Sequence, residues 1–106
     1  MATTTRDRIT HPDVAAFDLA TIMRTVGDPV RLEIVRLLGD GGEHLCGELS
    51  QALEIPASTG SYHLKLLREA GLIDCERHGL WAYYYIQKEA MAALHKRVAG
   101  MLERLD

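Results

Sequence analysis

Apolar side chains recur along this chain with two different periods, and the places where the period changes divide it into elements. From Asp13 to about Val26, Val14, Phe17, Ala20 or Thr21, and Met23 or Arg24 step by three and four residues, as one face of a helix does. Asp13 is a good N-cap and follows Pro12, so residues 1–12 read as a flexible polar arm and residues 13–106 as the folded domain. Asp28-Pro29 opens a second helix, with Asp as cap and Pro at its first position. Val30, Ile34, Leu37 and Leu38 share its apolar face, Arg31, Glu33 and Arg36 fall off it, and Gly39 with Asp40-Gly41-Gly42 ends it. A third, short helix runs from about Cys46 to Leu53, its stripe being Leu45, Cys46, Leu49 and Leu53, with Glu48, Ser50 and Gln51 turned outward.

Only Glu54-Ile55-Pro56 separates this helix from a fourth, which stops at Gly71. Two short helices joined so tightly predict a helix-turn-helix. At about 100° per residue, Gly60, His63, Leu64 and Leu67 of the fourth helix fall on one side. Ser58, Ser61, Tyr62, Lys65 and Arg68 fall on the other. That second face is unusual for a solvated helix. Hydroxyls and cations are the groups that meet base edges and phosphates, so the pattern predicts a helix that reads the DNA major groove.

After Gly71 the period shortens to two. Leu72–Arg77 and Leu80–Ile86 read as strands around a His78-Gly79 turn. A hairpin directly after a helix-turn-helix is the layout of a winged helix. From Lys88 to Leu105 helical spacing returns, with Met91, Leu94, Val98, Met101 or Leu102, and Leu105 in its stripe. In a domain this small such a stripe is expected to be buried on a second copy. The expected class is mainly α with a small β-hairpin: four helices, two strands and a fifth helix.

The 106 residues suit one small domain. A net charge of -3 argues against a non-specific polyanion binder but not against a reader with its cations on one face. No apolar run approaches a membrane span, and the polar first residues lack a signal core, which places the expected protein in the cytoplasm with no membrane partner. Two cysteines, Cys46 and Cys75, are too few for a disulfide scaffold. The histidines at 11, 44, 63, 78 and 95 include no i, i+4 pair on one helix, and no Cys-x-x-Cys occurs. No catalytic set is visible; the glycines at 39–42 follow a helix, the wrong context for a phosphate loop.

Four segments carry a family resemblance: GDPVRLEIVRLL at Gly27–Leu38, GELSQAL at Gly47–Leu53, STGSYHLKLLREAGLI at Ser58–Ile73 and GLWAYYYI at Gly79–Ile86. In order, spacing and hairpin the chain resembles the ArsR/SmtB family of bacterial winged-helix repressors. The resemblance implies a homodimer through its first and last helices, with Phe17, Met91, Leu94, Val98, Met101, Leu102 and Leu105 at the interface. It implies a fourth helix in the major groove and a wing near the minor groove. It further implies repression from an imperfect inverted repeat in double-stranded operator DNA, ended by an inducer. The expected DNA contacts are Ser58, Thr59, Ser61, Tyr62, Lys65 and Arg68, with Arg77 and His78 at the wing tip. Trp81, Tyr83 and Tyr85 are expected to pack the wing, and His63 to be structural, hydrogen-bonded beneath the motif. Gly60 departs from the family, which more often has Val there.

The family's best-known metal sites do not map onto this chain. Where arsenic and cadmium sensors often carry Cys-Val-Cys, Leu45-Cys46-Gly47 stands here, and Cys46 reads as a buried apolar thiol. The Asp-x-His and His-x-x-Glu pattern of zinc sensors also fails: with Glu89 as the acid, the histidine position holds Met91. Three inducer readings stay open. A transition metal would use a non-standard site combining His95 with Glu89 or Glu103, or with His11 or His44. An oxidant or sulfur species would act at Cys46 and Cys75. Otherwise the signal is a non-metal one, or there is none. The competing function is a winged-helix protein-interaction module without DNA binding.

Overall fold

The computed structural model describes residues 18–104. Helix α1 spans Leu19–Val26 and is capped by Asp18, which accepts from the Thr21 amide at 3.4 Å and its hydroxyl at 2.6 Å. The helix ending at Val26 thus starts at Leu19 rather than at Asp13. Asp13, Phe17, His11 and the expected arm lie outside the described residues, as does Leu105. Helix α2, Pro29–Leu38, starts as expected: the Asp28 carboxylate accepts from the amides of Val30 and Arg31 at 2.9 and 3.1 Å.

A strand of two residues, β1 (His44–Leu45), precedes α3 (Cys46–Leu53) and was not expected. Helix α4 (Ala57–Glu69) follows, then β2 (Ile73–His78), β3 (Trp81–Ile86) and α5 (Lys88–Glu103). The strands form one antiparallel sheet in the order β1-β3-β2. Tyr84 in the middle faces His44 on one side and Cys75 on the other. The wing is therefore tied to the start of the helix-turn-helix. Its turn is Gly79-Leu80, with Gly79 at φ 66° and His78 opposite Trp81; glycine with positive φ in first place is the requirement of a type II′ hairpin.

Ile22, Ile34, Leu38, Leu49, Leu64, Leu67, Leu72 and Ile73 form the core beneath the motif, closed on one side by Ala90 and Ala93 of α5. Met91 and Leu94 pack partly against this core. Further along α5 the apolar stripe has no cover within the described chain: Met101 is 52% and Leu102 60% exposed.

One contact sets the motif. Ser50, expected to point outward, is buried, and a Cβ built on Gly60 would lie 2.1 Å from its hydroxyl oxygen and 3.3 Å from its Cβ. Helices α3 and α4 approach so closely there that only glycine fits. The turn between them is made by Glu54 at φ 57°, whose amide donates to the Gln51 carbonyl at 3.1 Å, while Ile55 donates to Ser50 at 3.0 Å. A non-glycine residue in the left-handed region is uncommon, and here it closes the helix with a hydrogen bond.

Candidate nucleic-acid interface

Helix α4 is held by one face and open on the other. Leu64, Leu67 and Gly60 are buried, whereas Ser58, Ser61, Tyr62 and Lys65 are exposed and Thr59 is half-buried. Together Ser58, Ser61, Tyr62 and Lys65 make a surface of hydroxyls, a phenol and a cation. The Lys65 ammonium is loosely held, with Glu69 at 4.0 Å and both side chains mostly in solvent. Below this surface His63 is half-buried, with Nδ1 3.2 Å from a guanidinium nitrogen of Arg31, whose Nε donates to the Thr25 carbonyl at 2.6 Å. His63 joins α4 to α2 and the end of α1, the structural role expected of it. Asp28 is held below the ordinary carboxylate range, chiefly by the Arg31 amide it accepts.

Arg68 differs from the other expected contacts. Its guanidinium turns toward the wing, with Nε 3.3 Å and Nη2 3.2 Å from Oδ1 of the buried Asp74. A cleft of about 350 Å³ separates α4 from β3 and is lined by Ser61, Lys65, Arg68, Glu69 and Tyr84. Burial pushes the Tyr84 phenol above its ordinary value, so it stays neutral in that wall.

Arg77 and His78 are exposed at the end of β2, one step before the turn. The His78 ring meets Tyr83 edge-on at 5.4 Å, and its Nε2 lies 3.6 Å from Glu76. Trp81 does not pack as expected: it is 60% exposed, and beside it Leu80 at the turn is 91% exposed. Leu80 was missed because its exposure follows from its place in the turn, whereas an apolar residue beside a strand reads as core.

The expected metal and redox residues remain apart. His44 sits between two carboxylates, with Nε2 2.9 Å from Asp40 and Nδ1 3.3 Å from Glu48. Its pKa is raised by the hydrogen bond to Asp40 foremost, against partial burial, with Glu48 adding to the rise. That pattern is of an imidazolium clamp. His95, Glu89 and Glu103 are exposed on α5 and belong to no group of three donors. Among the described residues one such group occurs, Glu43, Glu76 and His78, all exposed. Cys46 and Cys75 are free thiols, and Cys46 is half-buried where burial was expected, its sulfur 3.8 Å from both the Ser50 hydroxyl and the Ala57 carbonyl.

A helix-turn-helix domain model matches residues 26–76, from the end of α1 to the middle of β2. The chain is 34% identical over 79 residues to an uncharacterised HTH-type transcriptional regulator of Methanocaldococcus jannaschii, covering 74% of this chain and 89% of that one. It is 37% identical over 71 residues to the arsenical resistance operon repressor of Bacillus subtilis, covering 67% and 68% of the two chains. In fold it is similar to a homodimeric winged helix-turn-helix DNA-binding domain of Mycobacterium bovis, with a TM-score of 0.67 at 24% identity, covering 91% of this chain and 90% of that one. With its helix-turn-helix, wing and these relatives, the chain belongs to the ArsR family of winged helix-turn-helix, DNA-binding transcriptional regulators.

Proposed function

We propose that this chain is a cytoplasmic repressor that binds, as a homodimer, an imperfect inverted repeat in operator DNA and is released by an inducer. It acts by binding rather than by catalysis. The observation that carries this reading is the open face of α4, where Ser58, Ser61, Tyr62 and Lys65 stand exposed on a helix whose other face is locked in the core. In this reading Tyr62 and the hydroxyls of Ser58, Thr59 and Ser61 meet base edges and backbone, Lys65 neutralises a phosphate, and Arg77 and His78 approach from the wing. The exposed Met101 and Leu102 of α5 join two copies, together with α1. Half-sites would then be spaced by about one helical turn, roughly 34–36 Å. A docking module would offer apolar groups on α4 in place of hydroxyls and a cation. The test is binding of the purified chain to its own promoter duplex and to random duplex over a salt series. A salt-dependent preference for the promoter supports the reading, and equal binding to both duplexes ends it.

A further inference from the structure

We infer that Arg68 is a positioning residue: through Asp74 it fixes the wing at a set angle to the reading helix, and it does not contact DNA phosphate. The inference rests on the reading of α4 and the wing as the DNA-binding surface. Arg68 lies in the last turn of α4, and only Ala70, Gly71 and Leu72 separate that helix from β2. Asp74 is the second residue of β2, and its side chain is 3% exposed. Its Oδ1 accepts from the Cys75 amide at 2.8 Å as well as from Arg68 Nε, with Arg68 Nη2 at 3.2 Å. Its Oδ2 is equally buried and accepts no hydrogen bond among the described residues. This carboxylate depends on Arg68 for its counter-charge.

Swinging Arg68 out to a phosphate would leave Asp74 with one backbone donor. Breaking one half of a buried pair costs more than a solvent-exposed ionic contact returns. The two cations of the face therefore divide the work. Lys65, 70% exposed, is free to meet phosphate, and Arg68 is held back to set geometry. Arg77 and His78 follow Asp74 by three and four residues on the same strand, so pinning Asp74 pins them.

The test measures promoter affinity over a salt series for the parent, Arg68→Met, Asp74→Asn, Arg77→Ala and the Asp74→Asn/Arg77→Ala pair, with amide hydrogen exchange on the free proteins. Arg68→Met and Asp74→Asn are each expected to weaken binding about tenfold. Neither changes the slope of log affinity against log salt. Arg77→Ala adds no further loss once Asp74 is changed, because the wing is already displaced; a general loss of stability would give additive losses. Exchange quickens in the hairpin of free Arg68→Met but not in α2. If that variant fails to fold, Arg68→Met/Asp74→Leu removes both charges and is expected to keep the parent's salt slope. The inference is overturned if either Arg68 variant lowers the slope by about one per half-site, or if Asp74→Asn binds like the parent. A parent without promoter preference would sink the DNA reading instead, and the exchange measurement alone would then decide the tether: unchanged hairpin exchange in Arg68→Met overturns it.

Discussion

Gly60 and Ser50 touch so closely that a single added methyl group cannot fit between them: its carbon would lie 2.1 Å from the Ser50 hydroxyl oxygen. Alanine in a helix is favoured over glycine by about 1 kcal/mol, so in open space Gly60→Ala would stabilise. Overpacking costs typically 1–3 kcal/mol, roughly enough to reverse the sign. Gly60→Ala is expected to lower the thermal midpoint. Ser50→Ala in the same chain removes the oxygen and leaves the Ser50 Cβ at the tight distance of 3.3 Å, so it should recover part of the loss. A Gly60→Ala variant more stable than the parent would show that the helices are not held at this separation.

His44, clamped between Asp40 and Glu48, gives stability a pH dependence. Its folded pKa is raised, so the folded state holds the proton more tightly than the unfolded chain. The contribution is complete below the unfolded value, about 6.5, and is lost as pH rises through the higher folded value. Both carboxylates are more than half exposed, which limits the effect to about 1 kcal/mol or less. Melting curves from pH 5.5 to 9 should fall over the alkaline part of that range for the parent. They should fall less for His44→Gln, and identical profiles would contradict the clamp.

Lys65 and Tyr62 are expected to fail in different ways. Lys65→Ala should weaken binding to all duplexes and lower the salt slope by about one per half-site. Tyr62→Ala should leave that slope alone and relax the preference among promoter variants, by about 1–3 kcal/mol at the affected base pair. Titrations against a panel of single-base promoter variants separate the two, and indistinguishable losses would argue against α4 as the reader.

The uncovered end of α5 predicts an oligomer defect. Met101→Glu with Leu102→Lys removes the exposed apolar pair from α5 and should leave the chain folded but shift sedimentation from dimer toward monomer. Promoter affinity should fall with the loss of the second half-site. A variant that stays dimeric would place the interface elsewhere.

Period and punctuation made most of the architecture legible. Asp28-Pro29 announced α2, the hydroxyl and cation face announced α4, and the change to a period of two announced the hairpin. Features that depend on a partner in space were not legible. Ser50 reads as a polar outward residue until Gly60 of the next helix lies against it. Arg68 reads as a second phosphate cation until Asp74, six residues on, takes its guanidinium. Strand β1 has two residues, too few to show any period, and it exists because β3 offers a free edge there. The start of α1 was misjudged because Asp13 and Asp18 are both chemically fit as caps.

The bracketing of β3 by β1 and β2 has a consequence for how the chain behaves in a concentrated solution. An open sheet invites other molecules to add strands along its unpaired rims. Here one rim is only the two residues of β1, and the other bears Glu76, Arg77 and His78 in solvent. Strand-by-strand polymerisation is discouraged on both sides. Arg77 and His78, proposed to meet nucleic acid, thereby also help keep the unbound molecules dispersed.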